Sequence, residues 1–132
     1  MDEVKTKRLT VPALTAAAAR RHPAPRSADG LRIGGLTAMT SLDYPGELSA
    51  VVFCQGCPWR CRYCHNGPLL PVSQTAAIPW SNIEALLARR RGLLDAVVFS
   101  GGEPTSQRPL AAAMRRAKEQ GFKVGLHTAG CH

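Results

Sequence analysis

The chain has 132 residues, with 17 Lys and Arg against 9 Asp and Glu, giving a formal charge of +8 at pH 7. That length holds one domain at most, no apolar run approaches the roughly 18 residues that read as a membrane span, and the opening Met1-Asp2-Glu3 lacks the basic-then-apolar texture of a secretory leader. Thirteen of the cations are Arg and 19 residues are Ala, a general compositional bias, so the charge does not by itself point to nucleic acid.

Residues 1–29 carry Ala16-Ala17-Ala18-Ala19-Arg20-Arg21 and then Pro23 and Pro25, with almost no bulky apolar residue after Leu14. They are expected to form an N-terminal extension, with one domain over 30–132. Leu31 to Leu36 reads as a short strand, followed by a turn at Thr40-Ser41-Leu42-Asp43-Tyr44-Pro45-Gly46. Glu47 to Gln55, centred on Ala50-Val51-Val52-Phe53, is the first strong strand signal. A cysteine-rich loop containing Gly56 and Pro58 follows it directly. Ser81-Asn82-Ile83-Glu84 matches a capping box and predicts a helix start, with Ile83, Leu86 and Leu87 inward, Arg89-Arg90-Arg91 at its negative end and Gly92 as its stop.

Asp95 to Ser100 is a buried strand ending at Gly101-Gly102-Glu103-Pro104. A second helix is predicted over about 107–120, with Leu110, Ala113, Met114 and Ala117 on one face and Gly121 closing it. Phe122 to His127 is a further strand. The alternation of strand and helix gives the fold class: α/β, built of parallel β/α units. Sites in such sheets gather at the C-terminal strand ends, so the cysteine loop, the Gly-Gly-Glu-Pro turn and His127-Thr128 are expected to meet.

Four of the five cysteines, Cys54, Cys57, Cys61 and Cys64, fall within eleven residues. A disulfide framework spreads its cysteines out; thiols packed this closely read as metal or cluster ligands in a reducing cytoplasm. A tetrahedral zinc site sets its two Cys pairs a dozen or more residues apart, whereas only three residues separate them here. Three close thiolates suit an iron–sulfur cube and leave one iron open to a substrate. A zinc module using all four cysteines is the rival reading. Cys54 belongs to a strand, where a buried structural thiol is ordinary.

Cys57-Pro58-Trp59-Arg60-Cys61-Arg62-Tyr63-Cys64 resembles the C-x3-C-x-aromatic-C signature of the radical S-adenosylmethionine superfamily, and Gly101-Gly102-Glu103-Pro104 resembles its Gly-Gly-Glu-Pro motif. Thr40 to Gly46, Phe53-x-Gln55-Gly56-Cys57 and Cys64-His65-Asn66 are similar to the glycyl-radical-enzyme activases, most of all those serving anaerobic ribonucleoside-triphosphate reductase. The resemblance covers about residues 31–130. It implies that Cys57, Cys61 and Cys64 bind a 4Fe-4S cluster and that S-adenosyl-L-methionine chelates the open iron. Gly101, Gly102 and Glu103 would contact its amino group, and Tyr63 would sit beside its adenine. The implied activity is reductive cleavage of S-adenosylmethionine to place a glycyl radical on the reductase, with a low-potential donor such as a flavodoxin or ferredoxin. A different activase or a tailoring enzyme of the same superfamily is the alternative.

Where the activases usually show Asp-Thr-Asn-Gly, this chain has His127-Thr128-Ala129-Gly130; a lone His at a strand end is ordinarily only hydrogen-bonded in place. Trp59 and Arg60 are expected to pack within the loop. His65 is left out of the ligand set, and Cys131 and His132 have no argued role. The family's partial (β/α)6 barrel needs roughly 190 residues by the size of the eight-unit barrel, so the chain is expected to supply its N-terminal part, about three β/α units, with an exposed sheet edge after the last strand.

Overall fold

The computed structural model describes residues 27–72 and 77–130. Four strands form one sheet in the order β1-β2-β3-β4: β1 (Ile33–Thr40), β2 (Ser49–Cys54), β3 (Ala96–Gly101) and β4 (Lys123–Leu126). β2, β3 and β4 are parallel, with Cys54 opposite Gly101 and Phe99 opposite Leu126. Helix α1 (Trp80–Arg89) connects β2 to β3 and α2 (Leu110–Glu119) connects β3 to β4. These are the β/α units expected from the alternation of apolar runs and 3.6-residue periodicity.

β1 departs from that plan. It runs through Thr40 and pairs antiparallel with β2, with irregular register between Ile33 and Gly35 and again between Thr37 and Thr40. Its residues are mostly half-exposed, so it carries no continuous apolar run from which its length could be read; strands consecutive along the chain commonly pair this way. The connection from Ser41 to Leu48 lays Tyr44 across β4, its ring carbons 3.2 and 3.6 Å from where a Cβ on Gly125 would stand, and Glu47 pairs with Lys123.

Both helices cover one face of the sheet. Ala50, Val52, Cys54, Val97 and Phe99 from the strands meet Ile83 and Leu87 of α1 and Leu110, Ala113 and Ala117 of α2 in one core, with Met114 packed partly buried against it. Trp80 stacks on Phe99 with ring centroids 6.2 Å apart. That contact explains a second departure. Helix α1 starts at Trp80, one residue before the predicted Ser81 cap, and no side chain caps it. A cap contributes about 1 kcal/mol, less than the roughly 2–3 kcal/mol gained by burying a large apolar side chain, so seating the indole decides where the helix begins.

The 3-10 turn Ala28–Gly30 belongs to the packed domain, since Ala28 is buried in the core, two residues inside the extension expected to reach residue 29. Residues 1–26 of that extension, Cys131 and His132 lie outside the described residues. Among the described residues, no helix is long and apolar enough to cross a membrane. Because Phe99 is fully buried beneath Trp80, Phe99→Ala is expected to lower unfolding stability by about 3–5 kcal/mol. Leu42→Ala, at a side chain 89% exposed, is expected to leave it within about 0.5 kcal/mol; urea denaturation midpoints compare the two.

Candidate functional site

The parallel register brings the ends of β2, β3 and β4 to one edge, as expected. The cysteine loop leaves β2 at Cys54, the Gly-Gly-Glu-Pro turn leaves β3 at Gly101, and His127 follows β4 with its N–H donating to Phe99 O at 2.9 Å. The first two are stitched together by backbone alone. Gly102 N donates to Cys54 O at 2.9 Å and Glu103 N to Gly56 O at 3.0 Å. A Cβ on Gly102 would overlap the Gly56 carbonyl, and Gly101, at φ +111°, has its missing Cβ position occupied by the Cys54 backbone. Only glycine fits either place.

The loop is anchored at its base. Gly56 N donates to Leu69 O at 2.7 Å and Cys57 N to Leu70 O at 3.1 Å. The buried Gln55 side chain donates from Nε2 to Pro68 O at 3.2 Å and Pro71 O at 2.9 Å, holding the returning segment. Gln107, also buried, accepts from Arg32 N at 2.8 Å and donates to Arg32 O at 2.9 Å and Gln55 O at 3.1 Å. Neither glutamine is marked as structural by the sequence. Gln55 lies inside a quoted motif, but nothing in the pattern around Gln107 marks it.

Cys57 is buried at the base, while Cys61 and Cys64 are exposed, joined through a turn in which Cys64 N donates to Cys61 O at 3.1 Å. Cys54, Cys57, Cys61 and Cys64 are all free thiols. Arg60 packs within the loop as expected, its Nη1 donating to the Cys57 and Trp59 carbonyls at 2.9 Å each. Trp59 does not; its side chain is half-exposed, and Tyr63 is 82% exposed. Among the described residues, no three His, Cys, Asp or Glu side chains converge as a site for a single metal ion.

Cys54 is set apart from the other three. It lies in the core beneath the helices, and burial, reinforced by the negative charge of Glu103 and opposed by Arg32, pushes its thiol up to about 12. Packed among the core side chains, where none of the other three cysteines lies, Cys54 is the member that a four-cysteine set would have to draw out of the core. The chemistry of the remaining donors fits an iron–sulfur cluster: three free thiols on one short loop, one anchored and two facing outward.

Glu103 is 2% exposed, and its carboxylate is engaged inside the protein. Oε1 accepts from Thr105 N at 3.1 Å, Thr105 Oγ1 at 2.7 Å and Thr128 Oγ1 at 2.6 Å, and Oε2 accepts from Ala129 N at 2.8 Å. It therefore ties the end of β3 to the segment after β4, a role the motif alone did not disclose. Its remaining acceptor capacity lies on Oε2. His127 adds a weaker tie, Nδ1 to Ser100 Oγ at 3.3 Å.

The family model described as the Radical SAM superfamily matches residues 51–132. A protein named as a glycyl-radical enzyme activating enzyme from Methanocaldococcus jannaschii is 38% identical over 104 residues, covering 76% of this chain and 41% of that one. A pyruvate formate-lyase-activating enzyme from Clostridium pasteurianum is 35% identical, with coverages of 75% and 43%. The chain thus spans about two-fifths of the length of these curated relatives. The solved structure of QueE from Escherichia coli shares the fold, with a TM-score of 0.57 at 18% identity over 77% of this chain and 53% of that one.

Burial alone would raise the Glu103 pKa, but the hydrogen bonds from Thr105, Thr128 and Ala129 outweigh it and hold the carboxyl below its ordinary value of 4.5. The stability this contributes is fully present above that ordinary value and is lost as pH falls through the lower folded one. Glu103→Gln is expected to lower stability at neutral pH by about 1–3 kcal/mol, because its amide donor faces donors. It is also expected to flatten the acid limb of stability against pH, as read by denaturation midpoints.

Proposed function

This chain belongs to the Radical SAM superfamily, and we propose that it performs the cofactor-holding work of a glycyl-radical-enzyme activase, with Cys57, Cys61 and Cys64 as ligands of a 4Fe-4S cluster that binds S-adenosylmethionine. The observation that carries this reading is the stitching of the cysteine loop to the Gly101-Gly102 turn at one sheet edge, with three free thiols on the loop. When bound, the cluster would supply the single electron that cleaves a carbon–sulfur bond of the sulfonium.

The chain's own residues have more limited tasks. Gly101 and Gly102 let backbone stand close to a ligand's amino group. Glu103 holds the turn in shape through the four hydrogen bonds described above and places its negative charge beneath that amino group, through Oε2 where contact is made. Arg60 fixes the loop by occupying the Cys57 and Trp59 carbonyls. Tyr63, open to solvent, is available to cover an adenine ring and exclude water.

The partner class that the named relatives support is a glycyl-radical enzyme. We favour an anaerobic ribonucleoside-triphosphate reductase, on the resemblance carried by Thr40 to Gly46, Phe53 to Cys57 and Cys64-His65-Asn66. The pyruvate formate-lyase-activating relatives make that lyase the second reading. A flavodoxin or ferredoxin would supply the electron, and the cytoplasm is the compartment that suits these thiols.

Electron paramagnetic resonance of anaerobically reconstituted, reduced protein is expected to show a cluster signal that changes on adding S-adenosylmethionine; a signal indifferent to it would remove the open iron. Replacing Cys57, Cys61 or Cys64 singly with Ala is expected to cut bound iron severely, whereas Cys54→Ala is expected to retain it. Loss of iron in the Cys54 variant with its fold intact would restore the four-cysteine reading. Incubating the reconstituted protein with each candidate glycyl-radical enzyme, and looking for the radical signal, separates the reductase from the lyase.

A further inference from the structure

A cleft of about 270 Å³ is lined by Gly30, Arg32, Ser106, Gln107, Arg108 and Pro109, and it includes no residue of the candidate ligand set. Most of its polar groups are already committed. The Gln107 amide is spent on the backbone of Arg32 and Gln55, and Ser106 Oγ donates to Glu103 O at 2.7 Å. The groups left over are two guanidiniums. Neither Arg32 nor Arg108 has an ion-pair partner among the described residues, and no acid lines the cleft. Arg32 Nε is closed off from solvent with no hydrogen-bond acceptor, a costly state for a charged donor. The backbone of Arg32 is fixed on both sides by Gln107, so the side chain emerges from a rigid base, and its Nη2 reaches to 3.6 Å from the position a Cβ on Gly56 would take, at the foot of the cysteine loop.

We propose that this cleft binds a phosphate or phosphoryl group of a small molecule between Arg32 and Arg108. Guanidinium forks match the oxygens of phosphate and carboxylate alike. Two arginines lining one small volume that no acid lines favour the more highly charged of the two, since a single carboxylate would leave half of that charge unanswered. The volume exceeds the room one phosphate needs, so a carrier molecule fits as well as the free ion.

The test is calorimetric titration of the full chain at constant ionic strength with inorganic phosphate, glucose 6-phosphate and acetate. Saturable binding of at least one phosphate ligand is expected, weakened about tenfold or more in Arg32→Gln and in Arg108→Gln and unchanged in Arg115→Gln, an exposed cation elsewhere on α2. Tighter binding of inorganic phosphate marks a free-ion site; tighter binding of the sugar phosphate marks a carrier. Absence of saturation, equal weakening by Arg115→Gln, or acetate binding as tightly as phosphate would overturn the proposal. Arg108 is exposed, so its variant keeps the test valid should Arg32→Gln fold poorly. No cluster is needed for the measurement, and its failure would leave the proposed function untouched.

Discussion

The site depends on one close approach, the backbone of Gly102 against the carbonyl of Gly56. β2 and β3 are in register to their last residues, Cys54 opposite Gly101. The two chains leaving them do not diverge, because Gly102 N and Glu103 N continue the pairing onto Cys54 O and Gly56 O. With a side chain at Gly102 the loops would be forced apart. Everything that follows on either chain, the thiols on one and Glu103 on the other, takes its position from this contact. It is a constraint of volume and backbone geometry, and it holds whether or not a ligand is present.

Around that contact the protein buries polar side chains, which is costly unless each is answered. Gln55, Gln107 and Glu103 are all nearly inaccessible, and each bonds to a different returning segment: Gln55 to 68–71, Gln107 to Arg32 and Gln55, Glu103 to Thr128 and Ala129. The strand ends are thus cross-linked by amide and carboxylate groups where apolar contact would give no directional control. Hydrophobic packing holds the helix side of the sheet, through Phe99, Trp80, Ile83 and Leu87. The functional edge is held by hydrogen bonds, which fix distances as well as proximity.

This division accounts for what the sequence disclosed. The strands β2, β3 and β4 and both helices announce themselves through apolar periodicity, because their positions are set by burial. The convergence of Cys57, Gly101 and His127 followed from parallel strand direction alone. β1 was only partly legible, since its half-exposed residues carry no such signal, and the Ser81 cap was misread because the tertiary contact of Trp80 with Phe99 outweighs a local hydrogen bond. The cross-linking done by Gln107 and by Glu103 was not readable. Gln107 bonds to Arg32 and Gln55, and Glu103, besides its local bonds from Thr105, takes bonds from Thr128 and Ala129, 25 and 26 positions away; no local pattern encodes partners so distant.

The loop itself combines order and openness in a way that bears on how it would take up a ligand. Its first thiol is buried and anchored through Leu70, while its second and third are exposed and share only a local turn. A site in which every ligand was locked in advance would hold three thiolates in mutual repulsion at close range. Here one end is fixed by the fold and the other is exposed on a local turn, so a ligand held by all three thiols would spend part of its binding energy in shaping residues 61–64. The rigid glycine contact then has a further consequence: because Gly56 cannot shift without displacing Gly102, a rearrangement of the exposed thiols on taking up a ligand would begin beyond Gly56 and leave the Gly101-Gly102 turn in place.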